Sequence, residues 1–139
     1  MSEICAHANN ARVKPILRWA GGKTWLIKYL DQFIPQDINN YHEPFLGGGA
    51  VFHYLQPDGK SFLSDINADL IDTYSELRDN PDKLFDILNT FKNTKDDYYK
   101  IRGTSYKSRI ERAARFIYLN KTCTIGLFWL KRKIQTKDV

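Results

Sequence analysis

The sequence predicts an α/β fold carrying a parallel sheet, on three observations. A short segment with aromatics, Tyr41 to Phe45, runs into Leu46-Gly47-Gly48-Gly49 and then into an apolar stretch, Ala50 to Leu55. A second apolar pair, Phe62-Leu63, lies between Ser61 and Ser64 and ends at Asp65. After it, Leu70, Ile71, Tyr74 and Leu77 recur on one helical face. Strands alternating with helices are joined by crossovers, which makes the strands parallel. Two segments read convincingly as strands, with room for a third, whereas a doubly wound sheet needs more to cover both faces. The sheet is therefore expected to be incomplete, with open edges and apolar faces that invite association.

The remaining elements follow in order. Residues 1–13 are polar and small without periodicity and read as a mobile tail. After Gly21-Gly22, Leu26, Leu30 and Phe33/Ile34 keep helical spacing until Pro35, whose missing donor ends a helix. Asn80-Pro81-Asp82 reads as a capped helix start, with Leu84, Leu88 and Phe91 on one face. Ser108 and Glu111 have capping-box spacing ahead of Ala113, Ala114 and Ile117. Residues 80–121 are thus expected to be mostly helical.

A chain of 139 residues with 42% hydrophobic and 27% charged side chains is one globular domain or part of one, not a disordered segment. Its net charge of +5 is unevenly divided. From Lys95 to Val139 twelve Lys/Arg face four Asp/Glu, a net +8, while the first 94 residues hold nine against twelve, a net −3. A phosphate backbone suits such a basic segment, since each neutralised phosphate releases a counterion; a solvated helix face is the alternative. Tyr98, Tyr99, Tyr106 and Tyr118 lie among Lys100, Arg102, Lys107 and Arg109, either as an aromatic and basic surface for nucleic acid or as packed helix faces. Cys5 and Cys123 lack disulfide or zinc spacing. With no leader pattern at the N-terminus and no run of about 18 apolar residues, no membrane span is expected and the cytoplasm is the expected location.

Glycines directly after a strand let the backbone turn sharply and approach a ligand. Sixteen residues beyond Gly49, Asp65 sits near the spacing at which a strand-end carboxylate reaches the ribose of an adenosine cofactor. The alternative is a tight turn followed by a helix-capping Asp. Gly22-Lys23-Thr24 invites a phosphate-loop reading, but that loop needs glycine where Leu17 stands. His42 and His53 share neither helical spacing nor a carboxylate cluster and read as ordinary structural or surface residues.

Four short segments occur in order: Lys14-Pro15 with Arg18 to Lys23, Glu43 to Gly49, Ser64 to Asn67 with Asp69-Leu70-Ile71, and Phe116 to Lys121. Their sequence and spacing resemble the Dam-type (D12 class) site-specific DNA adenine-N6 methyltransferases, over roughly residues 14–123. The resemblance implies an incomplete Rossmann-like S-adenosylmethionine-dependent methyltransferase fold, with a helical segment leading into a DNA-recognition region. It makes residues 14–79 the cofactor-binding part and 80–139 the helical segment and the start of DNA recognition. It places Trp19 and Lys23 in a cofactor-contacting N-terminal motif, Glu43, Pro44, Phe45, Gly47 and Gly49 in the loop that holds the methionine part of S-adenosylmethionine, and Asp65 on its ribose. It assigns Asn120, Lys121, Lys131 and Arg132 to duplex DNA, in restriction-modification or related methylation.

There are two departures from the family pattern. Where the family continues with an aromatic-Asn-Gly run and an Arg, this chain has Thr124 to Trp129, with Ile125 and Trp129 in place of the polar donors. The family's catalytic Asp-Pro-Pro-Tyr run has no counterpart, because Pro15, Pro35, Pro44, Pro57 and Pro81 are all isolated. The chain is therefore expected to be a truncated member, inactive alone. A second reading is a non-catalytic cofactor- or DNA-binding remnant, working with a complementing chain or self-associating through its incomplete sheet.

Overall fold

The computed structural model describes residues 14–35 and 37–123. The expected N-terminal tail, the departure at Thr124 to Trp129, and Lys131 and Arg132 lie outside the described residues.

A 3₁₀ turn, Lys23–Trp25, leads into α1 (Ile27–Leu30), then β1 (Asn40–Glu43), α2 (Ala50–Leu55), β2 (Lys60–Leu63) and α3 (Ala68–Asp79). Three helices follow: α4 (Pro81–Asn89), α5 (Lys95–Gly103) and α6 (Arg109–Thr122). β1 and β2 pair in parallel, with Tyr41 opposite Ser61 and Glu43 opposite Leu63. The pairing continues past the strand ends, since Ser64 N–H donates to Glu43 O (2.9 Å) and Leu46 N–H to Ser64 O (3.0 Å). Among the described residues the sheet has these two strands. This mixture of helices with a small parallel sheet is compatible with a methyltransferase-like fold.

The core is organised around α6, which packs chiefly on α3 and α4. Ile110, Ala113, Ala114 and Ile117 follow the spacing of one helix face and meet Leu17, Leu70 and Leu84 in the main cluster. The small Ala113 and Ala114 let the partner helices approach closely, while Leu119 and Tyr118 turn the other way to pack on Ile101 of α5. Buried apolar area of this kind supplies most of a small domain's stability. Among the described residues no helix is long and apolar enough to cross a membrane.

Several local expectations change once tertiary partners are present. The first helix is only one α-turn after a 3₁₀ turn; Leu26, Leu30 and Ile34 of the expected face are half-buried, while Phe33 is 75% exposed. Asn80 occupies the N-cap of α4 without capping it; its Nδ2 donates to Glu76 Oε2 at 2.9 Å. Glu76 is buried and also accepts from Arg109 Nε, so the amide serves a buried carboxylate instead of the helix end. Ser108 precedes α6 without a side-chain cap bond, so the Ser108–Glu111 capping box does not form. A side-chain cap forms instead at α5: Thr94 Oγ1 accepts from Asp97 N–H (3.2 Å) and its hydroxyl donates to Asp97 Oδ2 (3.0 Å).

Asn120, expected at DNA, is given a different task by the structure. It is 3% exposed, its Oδ1 accepts from Arg18 N–H (2.9 Å) and its Nδ2 donates to Arg18 O (2.7 Å). The side chain thus substitutes for a strand partner and moors the segment beside Trp19 to α6. Asn120→Ala leaves both Arg18 backbone groups unmatched, and urea denaturation is expected to show a loss of about 2–4 kcal/mol. A loss below about 0.5 kcal/mol would show that the moorings are replaceable by water.

Candidate functional site

Three segments distant in sequence meet at one cleft: Trp19 to Lys23, the loop after β1, and the turn after β2. The Asp65 carboxylate fastens the two turns together. Its Oδ2 accepts from Gly47 N–H and its Oδ1 from Asn67 N–H, both at 2.9 Å. Asn67 in turn caps α3 by accepting from Leu70 N–H at 3.2 Å. Lys23 crosses from the other side, its Nζ donating to Phe45 O at 2.7 Å. From below, Tyr74 Oη donates to Gly48 O at 2.8 Å. Every segment of the glycine loop is therefore held from a different element.

The cleft has a volume of about 150 Å³ and is lined by Trp19, Gly21, Lys23, Glu43, Gly47 and Asp65, with Phe45 at its rim. Of the residues expected there, Pro44 and Gly49 are not in the lining. Gly49 lies beneath it, in the left-handed region (φ 67°), with Tyr74 Oη and the His53 ring beside its Cα. The glycines were expected to make room for a ligand, but Gly47 makes room for a side chain of the protein itself. A Cβ there would stand 2.9 Å from Trp19 Cδ1, at a backbone φ of 53°. Of the glycines lining the cleft, Gly21 alone has nothing within 4 Å of where a Cβ would stand.

Glu43 is the buried charge of the cleft, 7% exposed. Burial raises its pKa, opposed by a hydrogen bond from Tyr41 Oη (2.8 Å to Oε2) and by the positive charge of Lys23. Burial, together with the neighbouring Glu43, pushes the Tyr41 and Tyr74 phenols well up, so both remain donors at neutral pH. Among the described residues His53 Nε2 is buried without a hydrogen-bond partner, and burial lowers its pKa, which keeps the ring neutral. Sequence reading missed the site roles of Gly21, Tyr41 and Tyr74. Tyr74 had been placed on a packing face, and Tyr41's place two residues ahead of Glu43 on one strand face was a signal available in the sequence.

A larger concavity, about 540 Å³, lies where the α5–α6 connection meets α3 and α6. Arg102, Arg112 and Arg115 line it with Tyr99 and Tyr106, opposite the single carboxylate of Asp69. Arg112 already pairs with Asp72 (3.3 Å), and Arg115 Nε donates to Ile101 O (2.9 Å). Tyr118 is buried with its hydroxyl on Lys92 O, and Arg109 is paired with Glu76, so these two of the basic and aromatic residues serve packing. Lys121 is exposed near the end of α6. Among the described residues no group of three or more His, Cys, Asp or Glu side chains is placed to hold a metal ion.

A glycine turn after one parallel strand and a carboxylate at the end of its neighbour lie at the strand ends, where open α/β sheets commonly hold ligands. The chain belongs to the D12 class N6 adenine-specific DNA methyltransferase family, whose model matches residues 19–138. It is 34% identical over 135 residues to type II methyltransferase M1.LlaDCHI of Lactococcus lactis subsp. cremoris, covering 91% of this chain and 47% of that protein. It is 36% identical over 143 residues to type II methyltransferase M.MjaIII of Methanocaldococcus jannaschii, covering 87% and 50%. Against the DNA adenine methylase of Haemophilus influenzae the identity is 35% over 122 residues, covering 82% and 42%. The chain thus spans about half the length of the curated relatives it matches.

Proposed function

We propose that this chain forms the S-adenosylmethionine-binding part of a site-specific DNA adenine-N6 methyltransferase acting on duplex DNA. The observation that carries the reading is the convergence of Lys23, Glu43, Gly47 and Asp65 on one cleft from three separate segments. The charges suit the ligand: S-adenosylmethionine has an amino-acid end bearing an ammonium and a carboxylate, and the cleft offers Glu43 and Lys23. Asp65 keeps acceptor capacity beyond its two backbone donors, enough for ribose hydroxyls. Fully exposed Ile66, next in sequence, offers an apolar surface for the base. At about 150 Å³ the cleft is smaller than the roughly 300–1,000 Å³ of enclosed ligand pockets. It therefore takes the compact amino-acid end, with the nucleoside lying over the open surface beside Asp65.

When bound, S-adenosylmethionine supplies the methyl group from its sulfonium. The chain's own residues hold and orient it, and no Asp-Pro-Pro-Tyr run is present among the 139 residues to receive an adenine amino group. Calorimetry is expected to show binding of S-adenosylmethionine by this chain. N6-methyladenine is expected to form only when a polypeptide bearing that run is added. Methylation by the chain alone would contradict the second part, and no binding would contradict the first.

The α5–α6 concavity is the part of this surface best suited to a DNA backbone. Arg112 and Arg115 are anchored there, and Arg102 extends the same positive lining with exposed Tyr99 beside it. Arg102→Ala is expected to weaken binding to duplexes of any sequence and to reduce the slope of log K against log salt by about 1. An unchanged slope would remove this face from the DNA interface. Lys121 is assigned to the same partner on its exposure, and Lys131 and Arg132 on family resemblance alone.

A further inference from the structure

We infer that Tyr41 positions the Glu43 carboxylate to receive the ammonium of the ligand, so that this tyrosine sets the cleft's preference for nucleosides carrying an amino-acid end. The inference rests on the cofactor reading above and adds a residue that lies outside the cleft lining.

β1 supplies the geometry. Side chains two apart on a strand share a face, so Tyr41 and Glu43 both turn inward, and the Tyr41 ring is braced by Phe52 of α2 at a centroid distance of 6.1 Å. From there Oη donates to Glu43 Oε2 at 2.8 Å. A glutamate side chain has three rotatable bonds, and a buried one without a fixed donor samples several rotamers. The phenolic donor on Oε2, together with the Phe52 backbone donor, restricts the carboxylate's orientation and leaves some of its roughly four acceptor positions open.

A backbone hydrogen bond from Phe52 also favours the ionised carboxylate and is retained when the Tyr41 hydroxyl is lost, while the other neighbours of Glu43 are engaged elsewhere. Lys23, on the 3₁₀ turn, answers its charge, but its Nζ is already held by Phe45 O. Tyr74, on α3, donates to Gly48 O. Tyr41 is therefore the group whose hydroxyl both orients the carboxylate and favours its ionised form against burial. A neutral or misdirected carboxyl attracts an ammonium poorly, whereas an ionised, oriented one makes a charge-assisted hydrogen bond.

The test compares three ligands by calorimetry on the full chain: S-adenosylmethionine, S-adenosylhomocysteine, and 5′-methylthioadenosine, which has no ammonium or carboxylate. Tyr41→Phe retains the ring against Phe52 and removes only the hydroxyl. It is expected to weaken both amino-acid-bearing ligands roughly tenfold or more and to leave methylthioadenosine within about twofold. In wild type, affinity for S-adenosylhomocysteine falls as pH drops through the Glu43 pKa, which burial has already raised. Loss of the Tyr41 donor raises it further, so in Y41F the fall begins at higher pH, while methylthioadenosine binding stays flat. In a Glu43→Gln background, Tyr41→Phe is expected to add nothing.

Equal weakening of all three ligands in Y41F, or no change with either amino-acid-bearing ligand, would overturn the inference while leaving the cofactor reading intact. If wild type bound none of the three, the cofactor reading itself would fall, and this inference with it.

Discussion

Gly47→Ala is expected to destabilise the fold by about 2–5 kcal/mol and to abolish cofactor binding. Two independent costs combine. The backbone sits at φ 53°, where an L side chain costs roughly 1–2 kcal/mol. The added Cβ would also stand 2.9 Å from Trp19 Cδ1, and forcing atoms into a packed contact costs about 1–3 kcal/mol more. Relief by moving the indole is opposed by its contact with the Phe116 ring, 6.5 Å between centroids, and by the Asn120 mooring of neighbouring Arg18. Gly21→Ala is the control. Its φ of 73° carries the backbone cost, but a Cβ there has nothing within 4 Å, so urea denaturation is expected to show a loss of only about 1–2 kcal/mol. Equal losses in the two variants would show that the Trp19 contact is slack.

Asp65→Asn is expected to reduce stability by about 2–4 kcal/mol and affinity for S-adenosylmethionine by more than tenfold. The carboxylate accepts from two backbone N–H groups, on Gly47 and Asn67, and hydrogen bonds to a charged acceptor contribute about 1.5–3 kcal/mol each. Asparagine keeps one accepting oxygen and turns an NH₂ toward the second N–H, so a bond is replaced by two opposed donors. The loop after β1 is then no longer fastened to the start of α3. Ligand affinity suffers twice, through the displaced loop and through the lost acceptor for ribose hydroxyls. Urea denaturation followed by calorimetry of the folded variant separates the two. Wild-type affinity in a folded D65N would remove Asp65 from the ligand site.

Much of the architecture was legible because it is written in local signals. The glycine run, the apolar run from Ala50 and the apolar pair at Phe62-Leu63 located α2 and both strands to within a residue or two. Pro81 marked the start of α4 for the same reason, since its fixed φ and missing donor act at one position. Caps were less legible. Asn80 is a good cap by type, yet a buried Glu76 three-dimensionally beside it takes its amide, and no sequence window holds both that glutamate and its partner Arg109. The same limit hid the Asn120–Arg18 clamp, which joins residues 102 apart.

The candidate site shows a similar division. The spacing of Glu43, Gly47 and Asp65 located the loop after β1 and the turn after β2 that meet in one cleft, because neighbouring parallel strands bring their C-terminal ends together. What spacing did not disclose is why the glycines are needed. Trp19 is 28 residues upstream of Gly47, and only the folded chain shows its indole lying where a side chain would go. Arg109 and Tyr118, counted in sequence among the residues of a basic and aromatic surface, likewise have packing partners that composition cannot reveal.

We propose that one cleft, bounded by Trp19 to Lys23, Glu43 to Gly48 and Asp65, holds S-adenosylmethionine. Amide NMR during titration tests it most directly, since Gly21, Gly22, Gly47 and Gly48 report from its walls. Saturable shifts are expected on those glycines and on Glu43 and Asp65, with α5 and the α5–α6 connection unmoved. Shifts concentrated on Arg102 to Tyr106 instead, with the four glycines silent, would contradict it.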